Sequence, residues 1–162
     1  MLYFLPASNS QNSDQDIYLY KFQKISSGYS VILQFEKLPD DDENLLVFGN
    51  EPLLLTAIRN ILVNACKYSE DQKAVISLEI RDKIMISICD KGKGISKDEL
   101  KNIFQPFFRA QESSGTKGFG LGLSLTEKII KLHKGYIDVT SVPGKGTCFA
   151  IHIPLAKSMI KR

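Results

Sequence analysis

The sequence predicts an α+β fold, with a mixed and mostly antiparallel β-sheet of about five or more strands and about three helices on one face. Short apolar segments separated by tight turns, as in residues 74–90, are typical of strands in antiparallel hairpins. Two other segments, residues 54–65 and 121–133, carry apolar side chains at helical spacing. Hairpins with helices inserted between them favour a two-layer α/β sandwich.

The composition is that of one globular domain. A chain of 162 residues can bury a substantial core, and 43% hydrophobic with 24% charged residues are ordinary values. The net charge of +3 is too small to indicate a nucleic acid or a membrane surface as partner. No apolar run is long enough to span a bilayer. We therefore expect a monomeric domain with no nucleic-acid partner and no membrane contact of its own.

The N-terminal part of the chain is expected to join a linker to two strands. Residues 1–27 include a polar run without periodicity, which is typical of a linker or a partly disordered segment. Within them, residues 17–25 fit a strand and a helix equally well. Apolar residues predict strands at 29–35 and 45–48, and the acidic residues 39–44 predict the turn between them.

A long helix is predicted next. Asn50 is a candidate N-cap and Pro52 falls in the first turn, where its missing N–H does no harm. The helix should end near residues 68–69. Its core-facing stripe is expected to consist of Leu54, Ile58, Ile61, Leu62 and Ala65.

The second half of the chain alternates strands with two more helices. Strands are predicted at 74–80 and 84–90, joined by a turn at Arg81-Asp82-Lys83, and closing strands at 136–140 and 147–153. Residues 95–103 have room for one short helix, and residues 104–120 lack a strong pattern, which indicates a mobile loop. The helix at 121–133 is expected to turn four side chains inward, namely Leu121, Leu125, Ile129 and Leu132.

The three cysteines are predicted to be buried free thiols. Cys66, Cys89 and Cys148 lie in apolar segments at scattered spacings. No metal-ligand spacing joins them to His133 or His152. This pattern fits a reducing, cytoplasmic setting.

One side of the long helix carries three polar residues. Asn60, Asn64 and Lys67 fall within roughly 60° of one another on a helical wheel. A solvated helix face explains them without any function. Alternatively, the amide oxygen of an asparagine is a good neutral ligand for Mg²⁺, and the lysine suits a phosphate.

Asp90 ends a buried strand. By alternation it shares a face with Ile84, Ile86 and Ile88, where a carboxylate is costly unless it is paired. The exocyclic amine of adenine is a donor that would pair it. Alternatively, Asp90 caps the glycine turn that follows it.

Two further glycine clusters are candidate parts of a binding site. In Gly118-x-Gly120-x-Gly122, glycines before a helix let backbone N–H groups converge on an anion such as a phosphate, although a softened hinge would use the same residues. The cluster matches neither a P-loop nor a dinucleotide fingerprint. Gly144-Lys145-Gly146-Thr147 fits a tight hairpin equally well without any function.

Five motifs in order resemble the catalytic ATP-binding domain of sensor histidine kinases, over about residues 28–155. Residues 60–69, NILVNACKYS, are similar to the asparagine box, and Asp90-x-Gly92-x-Gly94-Ile95 to the first glycine box. Residues 104–109, FQPFFR, resemble the phenylalanine box. Residues 118–123, GFGLGL, and Gly144-x-Gly146-Thr147 resemble the second and third glycine boxes.

The resemblance implies an ATP-binding sandwich in which residues 104–120 form a mobile lid over ATP. Asp90 would contact the adenine amine. Asn64 would hold Mg²⁺, and Asn60 would lie by the phosphates. The resemblance assigns further nucleotide contacts to Lys67, Tyr68, Gly92, Gly94, Ile95, Arg109, Lys117, Gly118, Gly120, Leu121, Gly122, Leu123 and Thr147.

The family's phosphoacceptor histidine has no counterpart here, because no histidine precedes His133. His133 ends a core-packed helix and His152 lies in the last strand, so neither suits the acceptor role, and the acidic neighbour of an acceptor is missing too. We therefore expect no catalytic residue for transfer in this chain. Residues 28–155 would be the catalytic domain and 156–162 a tail. Its partners would be the histidine-bearing dimerisation domain of the same kinase and a response regulator, in the cytoplasm, with a membrane anchor in the parent left open.

Two other functions compete with the kinase. ATPases of the same superfamily carry a glutamate base one turn before the Mg²⁺ asparagine, where this chain has Asn60, and an amide cannot take a proton. This favours transfer over hydrolysis. A serine kinase acting on an anti-anti-sigma partner would have a similar nucleotide site. A docking module that has lost activity is disfavoured by the intact Asp90 and Asn64.

Overall fold

The computed structural model describes residues 2–3, 30–36, 46–109 and 119–156. Several predictions fall outside these residues: the linker at 4–27 with its ambiguous segment, the acidic turn at 39–44, and the tail from residue 157. Lys117 and Gly118 are also outside them, as is the middle of the expected lid.

The first helix, α1 (Glu51–Tyr68), forms where local signals predict it. The Asn50 side chain accepts a hydrogen bond from the Leu53 N–H at 3.1 Å, which caps the first turn, and Pro52 follows in that turn. The whole predicted stripe is buried, together with two more residues of the same face: Leu54, Ala57, Ile58, Ile61, Leu62, Ala65 and Cys66.

Seven strands lie in the described residues and form two sheets. A short antiparallel pair joins β1 (Leu2–Tyr3) to β3 (Leu46–Val47). The main sheet has five strands in the order β2-β4-β5-β7-β6. Their bounds are β2 (Ser30–Glu36), β4 (Ser69–Ile80), β5 (Lys83–Gly92), β6 (Tyr136–Val142) and β7 (Gly146–Pro154).

Pairing in the main sheet is mixed, as predicted. The β2–β4 pair is parallel and the other three pairs are antiparallel. The β4–β5 hairpin turns at residues 81–82, one residue shorter than predicted, and contains a register shift between Ser69 and Ala74. Because β7 lies between β5 and β6, residues near position 90 and near position 147 become neighbours, and this adjacency positions the site.

The helices cover one face of the main sheet. The short helix α2 (Lys97–Leu100) begins at Ser96 with a capping box completed by Glu99. The third helix, α3 (Gly122–Leu132), packs against α1 and β6. The core between the layers is rich in isoleucine, including Ile86, Ile88, Ile130 and Ile151. None of the described helices could cross a membrane.

The prediction for the inward face of α3 is wrong for three of its four residues. Leu121, Leu125 and Leu132 are 43%, 47% and 69% exposed, and only Ile129 is buried. Apolar residues occur on two sides of this helix, so its own sequence does not decide which side packs. The buried side consists of Ser124, Thr126, Ile129 and Ile130.

The prediction of three free thiols is also wrong for two of them. Cys89 in β5 and Cys148 in β7 are cross-strand partners and form a disulfide. Their separation of 59 residues along the chain hides this register from the sequence. Cys66 is buried and free, as expected. Cysteine usage therefore no longer supports a reducing compartment.

Candidate functional site

Asp90 lies where β5 leaves the core, on the face that carries Ile84, Ile86 and Ile88. Its Oδ1 accepts hydrogen bonds from the Gly92 N–H at 2.9 Å and from the Thr147 N–H at 3.3 Å. Asp90 thus caps the turn, as the simpler interpretation predicts, and also lines a cavity. Both hydrogen bonds that the described residues make to Asp90 fall on Oδ1, which leaves Oδ2 for the amine of a ligand.

The turn after Asp90 depends on close backbone contacts. Gly94 has φ +70°, and a Cβ there would lie 2.2 Å from the Val142 carbonyl oxygen, so no larger residue fits. A second contact joins the Gly144 N–H to the Lys93 carbonyl at 2.8 Å. The first and third glycine clusters therefore contact each other directly beside Asp90.

Ser141 of β6 organises the same corner. Its hydroxyl accepts a hydrogen bond from the Ile95 N–H at 2.8 Å and donates to the Gly146 carbonyl at 3.0 Å. It also lies 2.9 Å from the Thr147 hydroxyl. This network fixes Thr147 and Ile95, both of which line the cavity. Ser141 was not identified from the sequence, where it directly follows the predicted strand at 136–140 and belongs to no motif.

The start of α3 faces the cavity without a side-chain cap. Leu121 occupies the N-cap position, and no side chain accepts from the first turn. Gly120, with φ +71°, turns the chain into the helix, and its carbonyl accepts from the Phe107 N–H at 3.0 Å. Uncapped N–H groups and the helix dipole together form a binding site for anions.

The last turns of α1 supply another wall of the cavity. Asn64, Lys67 and Tyr68 all line the cavity. The Lys67 Nζ lies 5.3 Å from the Tyr68 ring centroid, and the Lys93 Nζ lies 5.7 Å from the same ring. Two ammonium groups beside one aromatic ring give this wall a positive charge, which suits a phosphorylated ligand.

These walls enclose a cavity of about 680 Å³. Twelve of the predicted site residues line it: Asn64, Lys67, Tyr68, Asp90, Gly94, Ile95, Arg109, Gly120, Leu121, Gly122, Leu123 and Thr147. Two others do not. Gly92 is buried beside the Tyr68 backbone, and Asn60 lies behind Gly122, with its Nδ2 3.3 Å from the Gly122 carbonyl oxygen. Seven further residues line the cavity without having been predicted as site residues, namely Val63, Ala65, Lys93, Ile103, Phe108, Phe119 and Phe149.

Burial alters the acidity of two groups near the cavity. It raises the pKa of Asp90, against the opposing effect of the Gly92 and Thr147 N–H groups. It also raises the pKa of Cys66 to about 11, assisted by the negative charges of Asp90 and Asp71. The Cys66 thiol is therefore protonated and unreactive at neutral pH. No cluster of three potential metal-ligating His, Cys, Asp or Glu side chains occurs among the described residues.

Curated relatives of this chain include proteins named as sensory kinases and as a sensor protein. It is 43% identical over 112 residues to the adaptive-response sensory kinase SasA of Crocosphaera subtropica, which covers 67% of this chain and 29% of that protein. Identity to SasA of Rippkaea orientalis is 38% over 146 residues, 88% of this chain and 36% of the relative. Identity to the sensor protein RprX of Bacteroides fragilis is 39% over 122 residues, 71% and 23% respectively. The chain thus spans about a third or less of these relatives.

Solved structures share the fold. The mycobacterial sensor histidine kinase MprB superimposes with a TM-score of 0.70 at 25% identity, covering 86% of this chain and 92% of that one. The full-length ShkA complex with AMPPNP gives a TM-score of 0.71 at 20% identity, covering 96% and 32%. The family model for histidine kinase-, DNA gyrase B- and HSP90-like ATPases matches residues 49–157, which include every cavity-lining residue. The chain therefore belongs to the histidine kinase-, DNA gyrase B- and HSP90-like ATPase family.

Proposed function

We propose that this domain binds Mg-ATP, with adenine at Asp90 and the phosphates at the start of α3. The observation that carries the proposal is one cavity lined both by a half-buried carboxylate and by the residues of an uncapped helix N-terminus. The Asp90 Oδ2 can accept from the adenine amine. The N–H groups near Gly122 suit phosphate oxygens, and Lys67, Lys93 and Arg109 add positive charge. Lys117 and Gly118 are proposed contacts on the basis of the motif alone.

The donor set fits Mg²⁺ that arrives with ATP. Mg²⁺ retains several waters and prefers substrate phosphates with one or two protein oxygens over an all-protein cage. Asn64, which lines the cavity, offers one neutral amide oxygen. The ion would neutralise charge on the phosphates during transfer. Asn64 would orient it, and the start of α3 would hold the phosphate oxygens.

The proposed reaction is transfer of the γ-phosphoryl group to a histidine on a separate dimerisation domain, as part of two-component signalling in the cytoplasm with a response regulator downstream. Position 60, one turn before Asn64, carries an amide that donates to the Gly122 carbonyl. An amide there offers no base to activate water, so the site favours transfer over hydrolysis. A serine kinase of the anti-sigma type is the second candidate, since its nucleotide site would have the same donors.

A surface for the phosphoacceptor domain borders the cavity. The apolar rim, defined as Phe119, Leu121 and Leu125, is 86%, 43% and 47% exposed. Two of its members, Phe119 and Leu121, also line the cavity. An acceptor histidine must approach the γ-phosphate, so the domain that carries it has to cover the residues at the cavity mouth. We propose that a helical dimerisation domain docks on the apolar rim.

Calorimetry tests the nucleotide site directly. The purified chain should bind ATP and ADP in the presence of Mg²⁺ with a dissociation constant of about micromolar to submillimolar magnitude, as for ordinary enzyme substrates. GTP should bind more weakly, since guanine presents a carbonyl where adenine presents its amine. No heat of binding from either adenine nucleotide would reject the proposed function.

A further inference from the structure

Thr126 is a buried hydroxyl in the second turn of α3, with 0% of its surface exposed. It lies outside the cavity lining and was not singled out in the sequence. Its Oγ1 accepts a hydrogen bond from Asn60 Nδ2 at 3.3 Å and donates to the Ala57 carbonyl of α1 at 3.5 Å. Burial of a hydroxyl is costly unless its partners are in place, and here both partners come from the neighbouring helix.

The same Asn60 nitrogen makes a second hydrogen bond, to the Gly122 carbonyl at 3.3 Å. A side-chain amide nitrogen has two hydrogens, so it can serve Gly122 and Thr126 together. The directions agree along the chain of bonds: Asn60 donates to Thr126, and Thr126 donates to Ala57. Because a carbonyl can only accept, the Gly122 contact fixes the amide with its nitrogen toward α3.

We propose that Thr126 is a positioning residue that holds the Asn60 amide and, through it, the phosphate-facing first turn of α3. This inference rests on the proposed function and deepens it, because it assigns the alignment of the phosphate donors to a hydroxyl outside the cavity. Position 60 acts here through Gly122, which lines the cavity, and Asn60 itself does not line it.

The first turn of α3 depends on such an external support. No side chain caps it, so its N–H groups are free to bind an anion, and among the described residues only the Ser124 and Asn60 side chains hydrogen-bond to its backbone, at the Leu121 and Gly122 carbonyls. In the direction that a Cβ would take at Gly122, the nearest atoms are Asn60 Cγ at 3.8 Å and Cβ at 4.0 Å. Asn60 therefore packs beside this turn as well as hydrogen-bonding to it.

Adenine recognition provides an internal reference. Asp90 is held by Gly92 and Thr147, on strands that share no hydrogen bond with Thr126 or Asn60 in the described residues. Loss of the Thr126 hydroxyl should therefore weaken ligands that carry phosphates and leave adenosine unaffected. A purely structural role would weaken both classes of ligand equally.

The test compares Thr126→Val, which keeps the shape and removes the hydroxyl, with Thr126→Ser, which keeps the hydroxyl. Affinities for Mg-ATP, Mg-ADP and adenosine are measured on the whole chain by NMR-detected titration. Thr126→Val should weaken ATP and ADP about three- to tenfold, the range expected for one net hydrogen bond, with adenosine unchanged. Thr126→Ser should restore the nucleotide affinity.

A matched control is Thr56→Val. The Thr56 hydroxyl bonds only within α1, to the Pro52 carbonyl at 2.7 Å, so this change should leave all three ligands unaffected. Should Thr126→Val fail to fold, the ratio of ATP to adenosine affinity in Thr126→Ala decides in its place.

Equal losses for ATP and adenosine, or a serine variant as weak as the valine variant, would overturn the inference. Unchanged ATP binding by Thr126→Val beside a wild type that binds ATP would overturn it as well. A wild type that binds neither ATP nor adenosine refutes the proposed function instead.

Discussion

Asp90 uses its two carboxylate oxygens differently. Oδ1 receives the Gly92 and Thr147 N–H groups and holds the corner between β5 and β7. Oδ2 is the oxygen proposed to meet adenine. An asparagine at this position can still accept both N–H groups through its own Oδ1. The structural and ligand-binding roles of the residue can therefore be separated by one substitution.

Asp90→Asn should weaken ATP and ADP at least about tenfold. With Oδ1 kept on the two N–H groups, the variant presents an NH2 donor to the adenine amine, so a hydrogen bond to a charged oxygen, worth about 1.5–3 kcal/mol, is lost. Calorimetry with Mg-ATP measures the change. Asp98→Asn is the matched control, because the Asp98 side chain is 93% exposed and lies outside the cavity. If Asp90→Asn also lowers the melting temperature of the ligand-free protein substantially, the loss of affinity reflects a structural role of Asp90 alone.

The pH dependence of stability follows from the raised pKa of Asp90. The neutral carboxyl group of Asp90 is favoured in the folded state and so stabilises the fold. This stabilisation is fully present at a pH below the unfolded pKa, about 3.9, and is lost as the pH rises through the higher folded pKa. Asp90→Asn carries no charge at any pH. Without ligand it should therefore gain stability over the wild type as the pH rises through this window, and keep the gain at pH 7. Thermal melts between about pH 4 and pH 7 measure the difference. A decrease in the stability of Asp90→Asn relative to the wild type with rising pH would contradict this prediction.

Single residues were predictable where the signal is local. Alternation along β5 placed Asp90 on the core face, because strand periodicity needs no knowledge of partners. Lys93 was not predicted as a site residue although it lies between Gly92 and Gly94. The glycine motif specifies only its glycines and allows any residue at position 93. Thr126 was missed because its importance comes from Asn60 on another helix.

The two long helices show the same contrast at the scale of elements. The bounds and inner face of α1 follow from Asn50, Pro52 and one apolar stripe, all of which lie within the helix or beside it. In α3 the leucines and the isoleucines mark two different sides. Which side is buried depends on the packing of α3 against α1 and β6, and the leucine side is left exposed.

The exposed leucines of α3 test the docking proposal. Leu125→Glu should slow phosphotransfer to a histidine-bearing dimerisation domain at least about tenfold, because a charge in the apolar rim would be desolvated on docking. ATP affinity should stay within about twofold of wild type, since Leu125 does not line the cavity. Transfer of labelled phosphate to the added domain measures the rate.

Leu132→Glu provides the matched control on the same helix. Leu132 is 69% exposed and lies seven residues further on, about 10 Å from Leu125 along the axis. Its substitution should leave transfer unchanged. Equal loss in both variants would place the acceptor contact elsewhere, and a loss of ATP binding in Leu125→Glu would assign the rim to the nucleotide site.

At the scale of the whole molecule, the sequence did not predict which strands are neighbours or which residues pair across them. The third glycine cluster meets Asp90 because β7 lies beside β5, 57 residues away along the chain. The same adjacency pairs Cys89 with Cys148, which scattered spacing could not indicate. Motif order predicted that the clusters belong to one site, whereas their contacts depend on strand order, which local patterns do not encode.

The chain on its own should not retain a label from γ-labelled ATP. It has two histidines, and both are buried. The Nδ1 of His133 lies 2.7 Å from the Ile129 carbonyl, and its Nε2 accepts from the Asn50 N–H at 2.9 Å, so neither nitrogen is free to attack a phosphate. His152 lies in β7, stacked on Tyr136 with 4.3 Å between ring centroids and with Asp138 3.1 Å from its Nε2.

Labelling should appear only when a histidine-bearing dimerisation domain is added, because phosphoryl transfer needs a nucleophile in line with the γ-phosphate and this site supplies only the positioning. The measurement is label on each chain after separation, before and after acid treatment, with Asp90→Asn as the control whose weaker ATP binding reduces transfer at low ATP. Acid-labile label on His133 or His152 of the isolated chain would refute this division of labour. Label on a serine of the added partner would instead favour the anti-sigma type of kinase.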